Sequence, residues 1–279
     1  MSLKSIRNVF IQVPLVLWTL IVVTPFVIIG SLGFRDNTGI FSNPFGIGGE
    51  FHPENFATAW VGPVGSVGLG QMLGNSLAAF VFALAVNLSL GSIAAFFVTR
   101  LPRRQRNVYL TIFVTGTVIP GVLILVPMFR IFNGLGLLSN AVAIGCLYGV
   151  LSLPTTVLIL HGFFSGFPEE LIEAARLDGL GEIAIFVRVV LPLSLGALTT
   201  VGLLLAVSVW SETQLAIALL QNAESQTAAV GILGFQGKFV SDLGPLFAGL
   251  SIIMIPVIVL YLAFNRTITK GIALGGVFR

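Results

Sequence analysis

Apolar side chains in this chain fall in long runs separated by short polar turns, without the three-and-four spacing of a soluble helix or the alternation of a half-buried strand. Six runs qualify as crossings, at roughly residues 10–32, 76–99, 108–130, 140–163, 194–219 and 246–265. Each supplies the about 20 apolar helical residues that a hydrocarbon layer about 30 Å thick requires. The pattern predicts an all-α, polytopic membrane protein: one transmembrane domain over residues 1–279, with six transmembrane helices and both termini on one side. The first run exceeds the about 7–15 residues of a signal-peptide core and no A-x-A site follows, so it reads as a retained span.

Breaks in the pattern carry the next layer. The Gly-, Pro- and Asn-rich stretch from Phe34 to Asn75 reads as an irregular loop with a short helix near Pro53–Trp60, and Asn75 and Ser76 open the second span. Gly116, Pro120, Gly121 and Pro127 in the third run, and Gly145, Gly149 and Pro154 in the fourth, predict kinks that neighbouring helices must satisfy.

Composition agrees: 56% of residues are hydrophobic and 9% charged, with a mean hydropathy of +1.03, which excludes an ordinary soluble domain. The net charge of +3 is spread over turns and forms no basic face, so nucleic acid is excluded as a partner. Eleven basic residues (Lys4, Arg7, Arg100, Arg103, Arg104, Arg106, Arg176, Arg188, Arg266, Lys270, Arg279) lie on one side of the six-span topology and three (Arg35, Arg130, Lys238) on the other. The positive-inside bias then places both termini in the cytoplasm. The turn Arg100–Arg106 fixes topology, with anionic lipid contact as the lesser reading.

Chemistry-bearing residues are few. Cys146 is the only cysteine and lies in an apolar run, so intramolecular disulfides and cysteine metal clusters are excluded. His52 stands two residues from both Glu50 and Glu54, a weak metal signal that reads better as a solvated surface. His161, at the inner end of the fourth run, reads as a packed residue rather than a proton relay. Trp210, Ser211, Glu212, Thr213 and Gln214 form the polar cluster at membrane depth. A lipid-facing carboxylate costs about 2.5–3.5 kcal/mol there, so Glu212 must face protein or a water-filled cavity. An aromatic face beside hydrogen-bonding groups suits a sugar, making Trp210, Ser211, Glu212 and Gln214 candidates for a substrate path. The competing reading pairs Glu212 with a partner helix or sets it at the outer interface. Gly231–Phe239 has the outline of a phosphate-binding loop, but Ile232 replaces its first glycine and Phe239 its hydroxyl residue. No catalytic residues and no metal site are predicted.

The charged island Phe167–Pro192 interrupts the apolar pattern most sharply. Pro168, Glu169 and Glu170 favour a helix start and Gly179 a stop. Leu171, Ala174, Ala175 and Asp178 are predicted to share one narrow face, where two alanines let another surface approach closely, and Ile183, Phe186, Val187 and Val190 to share a face of a second segment. An interfacial helix in the headgroups is the bland reading.

This island resembles the EAA loop of permease subunits in binding-protein-dependent ABC importers, whose pattern is E-A-A, three residues, G, nine residues, I, one residue, L-P. Glu173, Ala174, Ala175, Gly179, Leu191 and Pro192 match, with Val189 where the family usually has Ile. Glu54-Asn55-Phe56, Ala94-Ala95-Phe96, Thr99-Arg100-Leu101, the turn Ile131–Asn140, Trp210 with its following carboxylate, and the tail Phe264, Asn265, Arg266, Gly271, Gly275 and Gly276 resemble the same family; Phe278-Arg279 departs from its frequent K-G ending. The resemblance is to the carbohydrate-uptake, maltose-type class. It implies a coupling loop at about 165–192, between the fourth and fifth helices, with Glu173, Ala174, Ala175, Asp178, Gly179 and Pro192 meeting an ATPase. It also implies a second permease subunit, two ATPase subunits that hold ATP and Mg, and an extracytoplasmic solute-binding protein, in the cytoplasmic membrane of a prokaryote. No cofactor is expected in this chain. The implied cargo is a sugar, with glycerol phosphate or a polyol as the alternative, and a secondary transporter as the rival class.

Overall fold

A computed structural model describes residues 3–45, 50–62, 66–238 and 242–277. Phe239, Phe278 and Arg279 lie outside the described residues, as do the side chains of Lys4, Arg7, Lys238, Phe264, Asn265, Arg266 and Lys270. Among the described residues every regular element is helical, and the chain divides into two compact units, Met1–Gln71 with Gly231–Pro256 and Met72–Val230 with Val257–Arg279.

In the first unit, α1 (Leu3–Leu32) is followed by two short helices, α2 (Asn37–Ser42) and α3 (Glu54–Val61). The E-N-F element has a definite task here. Asn55 is buried and donates its side-chain amide to the carbonyls of Gly33 and Arg35, 3.1 and 2.9 Å away, just past the end of α1. Those carbonyls would otherwise lack a helical partner. Phe56 packs on Phe34 at 4.4 Å between centroids, and Phe51 stacks on the same ring at 4.7 Å.

The second unit takes most of α4 (Leu69–Thr99), then α5 (Arg103–Val118), α6 (Gly121–Gly134), α7 (Ala141–Leu151), α8 (Leu153–Ser165), α9 (Glu169–Leu177), α10 (Glu182–Ile185), a π-helical turn (Phe186–Val190), α11 (Leu191–Leu193), α12 (Leu195–Ser211) and α13 (Gln214–Leu219). Helices α14 (Ala228–Lys238) and α15 (Leu243–Val277) close the chain. Three helical stretches, Gln12–Leu32, Leu69–Thr99 and Leu243–Ala263, are long and apolar enough to cross a membrane. Three bent pairs, α5 with α6, α7 with α8, and the 182–193 segment with α12, raise the number to as many as six.

The bends refine the expected spans. Between α5 and α6 the axis turns by 90°, because Pro120 has no N–H to donate and forces Ile119 into an extended conformation, ψ 115°. Pro127 lies inside α6. The axis turns by 48° between α7 and α8, where Pro154 occupies the first turn of α8. The second helix begins at Leu69 rather than near 76, since Leu69 and Met72 are fully buried and anchor about two extra turns. Asn75 and Ser76 therefore sit within α4. Asn75 donates to the carbonyls of Glu224 and Gln226, and Ser76 accepts from Ala228 N–H. The run 194–219 is not one helix either; it breaks at Glu212 and Thr213.

Helices α4 and α7 touch through small residues. A Cβ on Gly145 would lie 2.4 Å from the Ala79 carbonyl oxygen, and one on Gly149 2.7 Å from that of Ala83. Backbones at this separation gain close van der Waals contact that any larger residue would prevent.

Candidate functional site

Two regions of the second unit concentrate the polar chemistry. The first is the charged island. Helix α9 starts after Pro168 and ends in a paired C-terminal cap: Gly179 adopts φ +82°, its N–H donates to Arg176 O at 3.0 Å, and Leu180 N–H donates to Ala175 O at 3.1 Å. This is the left-handed stop that glycine supplies at least cost. Arg176 pairs with Glu182 across the turn at 2.7 Å.

The four residues expected to share one face of α9 divide at Ala175. Ile172 and Ala175 point into the protein, while Leu171, Ala174 and Asp178 are exposed and Leu177 is 89% exposed. The second segment splits similarly. Ile185, Phe186 and Val190 are buried, but Ile183 and Val187 are exposed. The π-turn over Phe186–Val190 widens the helix and shifts the phase that a 3.6-residue period assumes. Inward side chains of the island join Phe96, Val157, Leu160, Phe164, Leu198 and Val201 in one core cluster, so it is bolted to the ends of α4, α8 and α12. Phe96 sits 6.4 Å from Phe164 and 5.1 Å from Phe186, with the Arg100 guanidinium 4.9 Å above its ring. Of the predicted coupling residues, Glu173, Ala174, Asp178 and Gly179 are exposed, Ala175 is buried and Pro192 lies in α11.

The second region is a cavity of about 560 Å³. Three helix breaks converge on it: Ile119 and Gly121 from the first bend, Ser152 and Pro154 from the second, and Glu212 and Gln214 from the interruption after α12. Non-helical backbone at membrane depth is tolerated where it lines a cavity or is buried in protein. Tyr148, Thr155 and Ser208 add hydroxyls to the wall.

Glu212 is held from three directions. It accepts the hydroxyl proton of Tyr148, the N–H of Leu215 at 2.8 Å and the N–H of Ala216 at 3.2 Å. The carboxylate thus caps α13 and ties it to α7. Gln214 shares the lining; Trp210 and Ser211 do not. Two positions after the cavity-lining Ser208 on α12, Trp210 points about 200° away around the axis, and its Nε1 is buried without a hydrogen-bond partner. The Ser211 hydroxyl is spent on the Val207 carbonyl of its own helix at 2.9 Å. Tyr148, Ser152, Thr155 and Ser208 escaped sequence reasoning. The tyrosine had left a signal, since a buried phenol needs a partner and Glu212 was the carboxylate at membrane depth.

No group of three or more His, Cys, Asp or Glu among the described residues could hold a metal ion. His52 instead contacts Glu54 at 2.7 Å and Glu50 at 3.7 Å in the first unit.

The fold is similar to a chain in the crystal structure of a bacterial ABC transporter involved in the import of the acidic polysaccharide alginate, with a TM-score of 0.76 and 23% identity over 95% of this chain and 98% of that one. In sequence it is 28% identical to the diacetylchitobiose uptake system permease protein NgcG of Streptomyces coelicolor, over 94% of this chain and 86% of that protein. It is 30% identical to the melibiose/raffinose/stachyose import permease protein MelC of Bacillus subtilis, over 82% of this chain and 81% of the relative. The profile of one family matches residues 87–273, spanning the charged island and the cavity walls alike. The chain belongs to the binding-protein-dependent transport system inner membrane component family.

Proposed function

We propose that this chain is the permease subunit of an ABC importer that moves a di- or oligosaccharide across the cytoplasmic membrane of a prokaryote. Six crossings leave both termini and the Glu173 loop in the cytoplasm, where eleven of the fourteen basic residues gather. A second permease completes the translocation path, two ATPase subunits hold ATP and Mg, and a solute-binding protein delivers the sugar from outside.

The observation that carries this reading is the continuity between cavity and island. Helix α8 begins at the cavity bend and runs into α9, and α12 begins at the end of the island and leads to Glu212. Closure of the ATPase dimer displaces α9, the two helices carry that displacement, and the cavity alternates its access. Exposed Leu171, Ala174 and Leu177 form the surface for the ATPase groove. The cavity lining favours a neutral, hydroxyl-rich solute. It offers tyrosine, serine and threonine hydroxyls, an amide and one carboxylate, and among the described residues no Lys or Arg that would neutralise a phosphate. Relatives named for diacetylchitobiose and for melibiose, raffinose and stachyose support the same class. Glycerol phosphate fits less well.

Reconstitution tests the reading. The chain, purified with its companion permease and ATPase subunits in proteoliposomes, will import a sugar only with ATP and the loaded binding protein. Uptake driven by an ion gradient without ATP would point to a secondary transporter.

A further inference from the structure

One buried polar side chain bridges the bend between α7 and α8. Asn87 on α4 is fully buried, and its amide donates to the Gly149 carbonyl on α7 at 2.9 Å. Its carbonyl oxygen accepts from the Thr156 hydroxyl on α8 at 2.7 Å. Thr156 is 3% exposed, so neither bond competes with water. The bonds fall on opposite sides of the 48° bend at Ser152. The two arms are pressed onto α4 at the same points: Gly149 lies against Ala83, and a Cβ on Gly91 would stand 2.5 Å from the Thr156 methyl. Gly149 adjoins Tyr148, and Thr156 adjoins Thr155, both of which line the cavity.

We propose that Asn87 and Thr156 are positioning residues for transport: their clasp makes the two arms of the bent helix one rigid piece, so that displacement of the coupling segment reaches the cavity wall undiminished. The inference rests on the importer reading and assigns a part within it. A bent helix with no lock flexes where Pro154 has removed an N–H. Flexing there would absorb motion entering from α9 and leave Tyr148 in place. The clasp removes that freedom, because changing the bend stretches one of two buried hydrogen bonds whose groups have no water to turn to.

The test is Thr156→Val, which keeps the shape and deletes the donor, compared with Thr156→Ser, which restores it, in the assembled complex in proteoliposomes. Thr156→Val is expected to lower the melting temperature of the complex, since the buried Asn87 carbonyl loses its donor, and to raise the ATP hydrolysed per sugar imported by five-fold or more in the complex that remains assembled, with Thr156→Ser returning the ratio toward that of the original protein. A proportional fall in uptake and hydrolysis, leaving the ratio unchanged, would overturn the proposal, as a purely structural bond behaves that way. A spin-label pair at exposed Val142 and Ile159 gives a readout independent of any sugar. Thr156→Val should broaden the distance distribution across the bend, and an unaltered distribution removes the clasp even if the importer reading stands. Absence of ATP-driven uptake in the original protein would instead remove the importer reading, while the distance measurement still decides whether the clasp stiffens the bend.

Discussion

Tyr148 donates its hydroxyl proton to Glu212, and the same carboxylate receives the first free N–H groups of α13 from Leu215 and Ala216. One acidic side chain therefore closes a helix end and joins it to the bent helix opposite. A hydrogen bond to a charged group contributes about 1.5–3 kcal/mol. Tyr148→Phe should lower the stability of the complex by about that amount. Glu212→Ala should lower it further and cut sugar uptake at least ten-fold, because three bonds are lost and two backbone donors are left unpaired. Thermal melts and uptake rates check both, and normal values for Glu212→Ala would exclude the residue from the path.

Gly179 ends α9 in a left-handed conformation, φ +82°, and a Cβ there meets nothing within 4 Å. Space within this chain is thus ample, and the backbone alone resists substitution. Gly179→Ala should cost about 1–2 kcal/mol, and Gly179→Asn less, since asparagine tolerates this region. Gly179→Leu adds bulk on the face proposed to meet the ATPase and is expected to depress uptake relative to ATP hydrolysis. Side-by-side assays of the three separate helix termination from partner contact; equal coupling in all three would show that the exposed space faces no subunit.

Close approach of α4 and α7 gives a third expectation. Gly145→Val would drive side-chain atoms into the Ala79 carbonyl, which stands 2.4 Å from the Cβ position. Overpacking costs about 1–3 kcal/mol and more when backbone must move. The yield of folded complex should fall sharply, whereas Gly134→Ala, where a Cβ meets nothing within 4 Å, should leave it near normal. Size-exclusion profiles at equal expression distinguish the two.

The helical class and the apolar runs were legible because lipid leaves a spanning chain few alternatives. Kinks at Pro120 and Pro154 were legible for the same kind of reason: a missing N–H is written in the sequence. The break at Glu212 was not. No Gly or Pro marks it, and it exists because a side chain outcompetes the helix for the N–H groups of Leu215 and Ala216, with Tyr148 from a distant segment supporting the choice. That Ala175 turns inward with Ile172, away from exposed Leu171 and Ala174, could not be read from periodicity, because the aromatic cluster of Phe96, Phe164 and Phe186 that receives it comes from three separate segments. The role of Asn55 likewise depends on a helix end more than 20 residues away in sequence.

His52 supplies a pH dependence outside the spans. The hydrogen bond that its Nδ1–H donates to the Glu54 carboxylate raises its pKa above the ordinary 6.5, with the charges of Glu54, Asp36 and Glu50 adding to this against partial burial. Glu54 is lowered from 4.5, first by its own backbone N–H and then by His52. The histidine contribution to stability is complete below pH 6.5 and fades as pH rises through the raised value, while that of Glu54 is present above pH 4.5 and fades as pH falls through the lowered one. Imidazole NMR of His52, with His161→Asn to simplify the spectrum, should show a pKa above 6.5 that Glu54→Gln brings back toward it. No change with Glu54→Gln would break the assignment.

The account turns on the charged island lying in the cytoplasm against a nucleotide-driven partner. Leu177, 89% exposed at the end of α9, is the place to probe, with Ile172, 2% exposed on the opposite face, as its control. In the assembled complex, lacking the native cysteine through Cys146→Ala, a photoreactive maleimide attached at Leu177→Cys should capture the ATPase subunit, and Ile172→Cys should not. Labelling of Leu177→Cys in intact cells by a membrane-impermeant maleimide, or capture of no ATPase, would contradict the account.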